Sequence, residues 1–395
     1  MKSVTGWPDL RGLRCALESA KYTGGWTHNF YLYPARFSPD IAHAVIDMFS
    51  KPGDWVMDPF MGGGTTIIEG LALGRRMIGI DLNALAHFVA SVRTKPLSPH
   101  DELAVRRWAI TAARHASSSC VEAPPKIKNL PHPVSEFVSQ ALSHVSALPF
   151  ARQRAFARCV LLRLGQVALD CRDNRGPSGR MLAARLPILT DQMLGGLRDF
   201  VQACRDAGIC KTEISSRRIL ICRDAISLDK EPQLAALETR PRLIFTSPPY
   251  PRVHVLYHRW QVRGRKETPA PYWIADVPDG YYASHYTGGS RTPTGEHNYY
   301  LLIKTAFTSI RNILAPDGIV AQLIGFADIK KQLPKYLATM SEAGFERWTP
   351  DRSQKERLWR YVPNRKWYAK LQGAVDASTE LLLFHRPRPH VLRRR

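Results

Sequence analysis

Trp55-Val56-Met57-Asp58-Pro59-Phe60-Met61-Gly62-Gly63-Gly64-Thr65-Thr66 is the run that decides the fold of this chain. Its first three residues form a short apolar stretch that reads as a buried strand, and Asp58 closes it. Three successive glycines then permit a tight turn and a close backbone approach to a ligand. Thr65 and Thr66 suit the first turn of a helix that continues through Ile67, Ile68, Leu71 and Leu73. Met77-Ile78-Gly79-Ile80-Asp81 follows as a second strand that ends in an acid. Strand, glycine loop, helix and strand in this order predict an α/β fold with a mostly parallel sheet. In such sheets ligands bind at the carboxyl ends of the strands, and an acid ending the second strand is placed to hold ribose hydroxyls.

Much later in the chain, Leu243-Ile244-Phe245 reads as another buried strand, and Thr246-Ser247-Pro248-Pro249-Tyr250 follows it directly. The two prolines fix φ and remove two backbone donors, so the turn is stiff and its carbonyls are free to accept. Hydroxyl and carbonyl acceptors beside an aromatic ring suit a planar heterocycle that carries an exocyclic amino group.

Taken together, these stretches resemble the amino-methylating DNA methyltransferases, which transfer a methyl group from S-adenosylmethionine to cytosine N4 or adenine N6. DPFMGGGTT is similar to their first cofactor motif, IGIDLN to the acidic second and TSPPY to the catalytic motif. His28 to Pro39 resembles the segment preceding the cofactor loop, and Cys222-Arg223-Asp224-Ala225 resembles the third-strand acid that contacts adenine. The resemblance covers residues 28–92 and 218–384. It implies a Rossmann-like class I methyltransferase sheet of seven strands with an antiparallel final hairpin. It implies S-adenosylmethionine as cofactor, held by Tyr33, Pro34, Arg36, Phe37, Asp58, Pro59, Phe60, Gly62, Gly63, Gly64, Thr65, Thr66, Asp81, Leu82, Asn83, Asp224, Ala225 and Thr246. Ser247, Pro248, Pro249 and Tyr250 are the implied catalytic set. Ser247 Oγ and the Pro248 carbonyl would accept from the amino group of a flipped base, with Tyr250 stacked on it. A serine here, in place of an aspartate, resembles the cytosine-N4 members, so cytosine N4 is the expected target and adenine N6 the alternative. Four residues also have plainer readings: Asp58 as a helix cap, Asp81 as a surface acid at a strand end, Asp224 as a turn residue and Phe37 as core packing.

Lys and Arg total 56 against 34 Asp and Glu, a net charge of +22. That balance predicts a polyanionic partner, here double-stranded DNA. Residues 351–395 alone hold twelve basic and four acidic residues. Arg357, Arg360, Arg365 and Lys366 lie among aromatics in this region, and Arg252, His254, Tyr257, Arg259, Trp260, Arg263, Arg265 and Lys266 repeat the theme after the TSPPY turn. All are expected to grip phosphates or line the base pocket, against the plainer account of loops and a solvated hairpin packed on the core. No apolar run approaches the ~18 residues of a membrane span, and the N-terminus lacks a signal-peptide core. A cytoplasmic, nucleoid-associated protein of prokaryotic or phage source is therefore expected, with cognate restriction or defence-system proteins as further partners. Seven scattered cysteines suggest reduced thiols, and their spacing matches no zinc site, so no metal is expected. The chain has no Pro-Cys dipeptide, which argues against carbon-5 cytosine methylation.

Four parts are expected: residues 28–97, the cofactor-binding part of the core; 98–217, a helical insertion placed to read bases; 218–385, the catalytic part with inserted loops 251–298 and 349–379; and a basic tail, 386–395. Within the insertion, helices are expected at 101–116, 133–147, 150–170 and 190–207, with a basic loop from Arg172 to Arg180. The motif order leaves no room for a separate C-terminal recognition domain, which puts the place of base reading in doubt. Two other functions compete. An RNA guanine-amino methyltransferase would carry an aspartate where Ser247 stands and an N-terminal RNA-binding domain for which 27 residues before His28 leave little space. A catalytically dead nucleic-acid-binding module would not need Asp58, Asp81, Ser247 and Tyr250 intact. A fused restriction nuclease has no residual segment large enough to hold it.

Overall fold

β1 (Trp55–Asp58), β2 (Arg76–Asp81), β3 (Arg218–Cys222) and β4 (Leu243–Thr246) form the parallel part of the sheet with a later strand, β7 (Ile319–Gly325). The computed structural model describes residues 9–19, 24–32, 36–115, 125–170, 176–251, 259–262, 266–279, 292–350, 358–361 and 379–389. Between β4 and β7 lies a small separate hairpin, β5 (Trp260–Val262) with β6 (Lys266–Thr268). β8 (Phe345–Trp348), β9 (Leu358–Tyr361) and β10 (Thr379–Pro387) complete the main sheet, whose order is β3-β2-β1-β4-β7-β10-β8, with β9 also on β10. β10 runs antiparallel to all its neighbours. This is the class I methyltransferase arrangement, with one difference from the seven strands expected. The outermost position beside β10 is shared by two strands: β9 pairs with residues 379–382 of β10 and β8 with residues 384–387.

Successive residues along each strand face opposite sides, so one sheet builds two cores. Val56, Met77, Leu243, Ala321 and Leu382 belong to one, and Met57, Ile78, Ile244, Val320 and Leu381 to the other. Helices cover both faces, as a largely parallel sheet requires. The helices Pro293–Ile313 and Ile329–Glu342 pack on the second face, through Phe307, Ile310, Tyr336 and Met340.

The first face carries the insertion, whose helices are Pro99–His115, His132–Val145, Ala151–Leu169 and Gly179–Asp206. Its Trp108, Phe137, Phe156 and Phe200 are buried in the same core as Val56 and Leu243, so the insertion is built onto the sheet. The last helix starts well before the expected residue 190 and runs through Pro187, taking Arg180 out of the expected loop. An interior proline costs a helix one hydrogen bond, and burial of Leu182, Leu186, Leu189 and Met193 along one stripe offsets that cost. Residues 172–175 of that loop lie outside the described residues. Asp101, fully buried, ties the first and third insertion helices together by accepting from Arg152 Nε and Gln153 Nε2, each at 2.7 Å. Among the described residues, no helix is long and apolar enough to cross a membrane.

Candidate active site

β1 and β4 are neighbours, with Met57 opposite Ile244, so their carboxyl ends meet. Asp58 sits at that junction, 1% exposed. Its Oδ2 accepts from Thr66 Oγ1 at 2.6 Å, and its Oδ1 from Thr246 Oγ1 at 2.6 Å and from the Phe60 N–H at 3.1 Å. One carboxylate thus ties together the end of β1, the glycine loop, the helix Thr65–Ala72 and the start of the TSPPY turn. Burial pushes its pKa up to about 6 despite these three donors. Asp58, Thr66 and Thr246 were expected to touch cofactor; here the Asp58 carboxylate takes the protons of both threonine hydroxyls, because a carboxylate at a strand junction needs local donors to stay buried.

Asp81 ends β2, next to β1, and is only partly buried. Oδ2 accepts from the Gly62 N–H at 2.9 Å and Oδ1 from the Asn83 N–H at 2.9 Å. Gly62 and Gly64 take φ values of 50° and 81°, a region that favours glycine, and this lets the loop fold back to the acid. Burial pushes the Asp81 pKa up to about 6 against the two N–H bonds. Each carboxylate oxygen keeps a spare lone pair. The acid can therefore still accept from a vicinal diol, and Leu82 beside it is 50% exposed. Asn83 does different work. It caps the helix Ala84–Arg93 by accepting from the Leu85 and Ala86 N–H groups, and it donates to Tyr272 Oη at 2.8 Å. Asp224 is exposed at the end of β3 and accepts from the Ile226 N–H, while Ala225 is buried.

The segment before the loop is held by residues that sequence reasoning passed over. Arg93, 1% exposed, donates to the carbonyls of Gly63, His28 and Tyr31, clamping residues 28–31 onto the glycine loop. Glu69 is buried and joins His28 Nε2 at 2.7 Å and His43 Nδ1 at 3.0 Å. Burial lowers the His28 pKa in spite of this carboxylate, whereas the exposed edge of His43 lets its hydrogen bond to Glu69 raise that ring's value. Phe37 packs against Phe245, ring centroids 4.9 Å apart, so its place is in the core. Arg36 is half-buried, with Nη1 3.5 Å from the His28 carbonyl. Pro59 and Thr65 are buried at the loop's two ends and Phe60 half-buried between them. Tyr33 and Pro34 lie outside the described residues.

In the TSPPY turn, Ser247 is partly exposed while Pro248 and Tyr250 are buried. The Pro249 carbonyl accepts from Tyr299 Oη at 3.0 Å. Among the described residues no donor reaches the Pro248 carbonyl. Ser247 Oγ lies 3.1 Å from Tyr250 Oη, which donates to Glu380 Oε1 at 2.7 Å. The Tyr250 ring, expected to stack on a base, is 7% exposed and packed in the second core.

Three residues expected to face DNA are placed otherwise. Trp260 is 1% exposed, packed on Gly165 of the insertion, with Nε1 donating to Tyr31 Oη at 3.1 Å. Arg360 is buried and paired with Glu380 at 3.1 Å, and Arg259 is largely buried against Asp279 at 2.7 Å. A basic–aromatic pattern does not distinguish a solvated face from a strand that pairs its charges internally. Lys266 is exposed on β6. Arg252, His254, Tyr257, Arg263, Arg265, Arg357, Arg365 and Lys366 lie outside the described residues.

With this geometry in place, the comparisons with known proteins can be set beside it. Residues 13–90 match the DNA methylase family of N6 and N4 methyltransferases. The chain is similar to the type II methyltransferase M.MvaI of Kocuria varians, 36% identical over 76 residues, covering 18% of this chain and 17% of that protein. It is also similar to the type II methyltransferase M.MthZI of Methanothermobacter thermautotrophicus, 32% identical over 102 residues and 26% of each chain. A tRNA (guanine(10)-N2)-dimethyltransferase of that organism is 35% identical over 54 residues, 13% of this chain and 16% of that one. The chain thus matches about a quarter or less of each of these relatives. The family match bears out the resemblance to the N4-cytosine and N6-adenine amino methyltransferases. It spans the glycine loop and Asp81 and stops short of the TSPPY turn.

Proposed function

We propose that this protein transfers a methyl group from S-adenosylmethionine to the exocyclic amino group of a base in double-stranded DNA, cytosine N4 by preference and adenine N6 as the alternative. The observation that carries this reading is the Asp58 junction. It holds an acceptor-lined turn, Ser247 and Pro248, beside a glycine loop whose neighbouring acid, Asp81, keeps lone pairs for a ribose diol. The residues present fit the cofactor: Asp81 for the hydroxyls, the 62–64 backbone beneath the nucleoside and exposed Leu82 and Asp224 at the adjoining strand ends. When bound, S-adenosylmethionine supplies a methyl group already activated by its sulfonium.

The protein's own part is positioning. A base amino group is a poor nucleophile because its lone pair is delocalised into the ring. Ser247 Oγ and the Pro248 carbonyl accept hydrogen bonds from its two N–H groups, which turns the nitrogen lone pair out of the ring plane, and once methylated that nitrogen releases one proton to solvent. Holding both partners in line supplies most of the acceleration, and no covalent enzyme–base bond is needed. The target base leaves the duplex to reach this turn. The net charge of +22 supports a phosphate-backbone partner. Arg360, Arg259 and Trp260 have no part in this grip; Lys266 and the basic residues outside the described segments remain its candidates. The helical insertion 98–217 is the proposed reader of part of the target sequence, and cognate restriction or defence proteins are proposed partners.

The test is modified-base mapping of DNA from cells expressing the wild type or Ser247→Ala, with mass spectrometry of digested DNA and transfer RNA. N4-methylcytosine at one sequence motif, absent with the variant, is the expected result. N6-methyladenine alone would change the base and keep the mechanism. Methylation of transfer RNA only would overturn the DNA reading, and full methylation by Ser247→Ala would overturn the mechanism.

A further inference from the structure

Glu380 is the second residue of β10, with Gly325 of β7 opposite it on one side and Arg360 of β9 on the other. Its side chain is 5% exposed. Oε1 accepts from Tyr250 Oη at 2.7 Å, and Oε2 from Arg360 Nη1 at 3.1 Å. A charge this deeply placed persists only when paired and hydrogen-bonded, and Arg360 supplies the opposite charge. Gly325 makes the contact with Tyr250 sterically feasible. A Cβ there would lie 3.0 Å from the Tyr250 ring, so the bare backbone leaves the ring its place over the sheet. On its other side Tyr250 Oη meets Ser247 Oγ at 3.1 Å.

Counting protons along this row gives it a direction. A carboxylate offers acceptors only, and a phenol and an alcohol carry one proton each. The Tyr250 proton goes to Glu380, so Tyr250 Oη faces Ser247 as an acceptor. The Ser247 proton then goes to Tyr250, and the lone pairs left on Ser247 Oγ can only accept. The neighbouring Pro248 carbonyl can only accept as well.

We propose that Arg360, Glu380 and Tyr250 form a polarity relay that fixes Ser247 as an obligatory acceptor, so that the site admits a base presenting an amino group and rejects one presenting a carbonyl at the same position. Cytosine or adenine then enters, and uracil or hypoxanthine, their deaminated counterparts, meets two acceptors with a third. Arg360, Glu380 and Tyr250 are positioning residues in this scheme, and of the four members of the row only Ser247 touches substrate. The inference rests on the methyl-transfer reading above.

Glu380→Gln tests the relay because it reverses it. Arg360, a donor, holds the glutamine carbonyl, which turns the amide N–H₂ toward Tyr250. Tyr250 then donates to Ser247, and Ser247 donates outward. The measurement is binding of the full-length protein to duplexes that carry, at the mapped target position, the native base or its deaminated counterpart. Taking the variant's amino-over-carbonyl preference relative to wild type cancels the difference in base-pairing strength between the two duplexes. That preference should fall by at least about tenfold in Glu380→Gln, the effect of one misdirected buried hydrogen bond. It should fall partway in Tyr250→Phe, which keeps the ring and cuts the row. S-adenosylmethionine affinity and the unfolding midpoint serve as controls for folding, and if Glu380→Gln does not fold, Tyr250→Phe decides. A folded variant that keeps the wild-type preference, while the wild type methylates its target, overturns the relay alone. A wild type that methylates no DNA overturns the parent reading and the relay with it.

Discussion

Thr246→Val removes one hydroxyl and leaves the side-chain shape nearly unchanged, which isolates a single bond at the Asp58 junction. Both residues are buried, Asp58 at 1% and Thr246 at 0% exposure, so no water can replace the lost donor. A hydrogen bond to a charged group contributes about 1.5–3 kcal/mol, and that is the expected loss at pH 8. The loss should depend on pH in a definite direction. Burial lifts the Asp58 pKa from 3.8 to about 6, with Thr246 first among the donors that hold it down. A folded-state value above the unfolded one means that protonation favours the folded protein. Asp58 therefore adds stability as pH falls from about 6 toward 4. Without Thr246 the folded value rises further, so the variant gains more on acidification and the gap to wild type narrows. At pH 5 it should be nearer ~1 kcal/mol, the value of a bond between neutral groups. Urea unfolding at both pH values measures this. An equal loss at pH 8 and pH 5, or a loss below ~0.5 kcal/mol at pH 8, would refute the view of Asp58 as a buried, ionised anchor.

Asp81→Asn should weaken S-adenosylmethionine binding about tenfold at pH 8, a loss of roughly 1.5 kcal/mol from one charge-assisted bond. Wild-type affinity should also decline as pH falls through about 6, where burial places the Asp81 pKa, and calorimetry should find the variant's affinity flat across that range. Trp260→Ala should cost about 3–5 kcal/mol in urea unfolding, yet leave the salt dependence of DNA binding unchanged in the folded protein, because the ring packs inside the insertion. Asp101→Asn should cost about 1.5–3 kcal/mol by removing the charge from a buried acceptor of Arg152, Ser98 and Gln153. Burial raises the Asp101 pKa, but bonds from Arg152, Ser98 and Gln153 outweigh it and the net shift is downward. The wild-type advantage should therefore stand above the unfolded carboxylate value near pH 4 and shrink as pH falls below it, as thermal melts at pH 7 and pH 3 would show.

That Asp81, the glycine loop and Ser247 stand at strand ends was legible in the sequence because short apolar runs lead directly into each of them. The mostly parallel sheet followed from the same punctuation, whereas its seven-stranded form and antiparallel final hairpin came from the family resemblance. Arg93, Glu69 and Glu380 were illegible for the opposite reason: each means something only through a partner distant in the chain. Arg93 looks like the basic last turn of a helix, and only the fold shows it reaching three carbonyls in the 28–31 segment and the glycine loop. A signal for Glu380 existed. It stands directly before the apolar run Leu381 to Phe384 of a strand that reads as buried, and such an acid demands a cation nearby. Arg360 in Leu358-Trp359-Arg360-Tyr361 was that cation, but its strand lay inside a stretch whose charge suggested phosphate. Charge counts report on partners in solution only after internal pairs are removed.

The two buried carboxylates explain together why the TSPPY turn is a dependable scaffold. Thr246, its first residue, is tied to Asp58 on the side of the glycine loop, and Tyr250, its last, is tied to Glu380 on the side of β10. Between these anchors, two prolines remove the φ freedom that a turn of this length would otherwise keep. The Pro249 carbonyl is committed to Tyr299, which leaves Ser247 Oγ and the Pro248 carbonyl as the acceptors that the proposed mechanism uses. Acceptors fixed before the substrate arrives need no reorganisation when charge develops on the amino nitrogen, and preorganisation of this kind is what makes a polar site effective. Both anchors take their charge from outside the turn, Asp58 from the cofactor strand and Glu380 from the last strand of the sheet. The geometry of the proposed reacting centre is therefore a property of the whole sheet, and loosening either anchor should shift Ser247 without altering any residue proposed to touch the base.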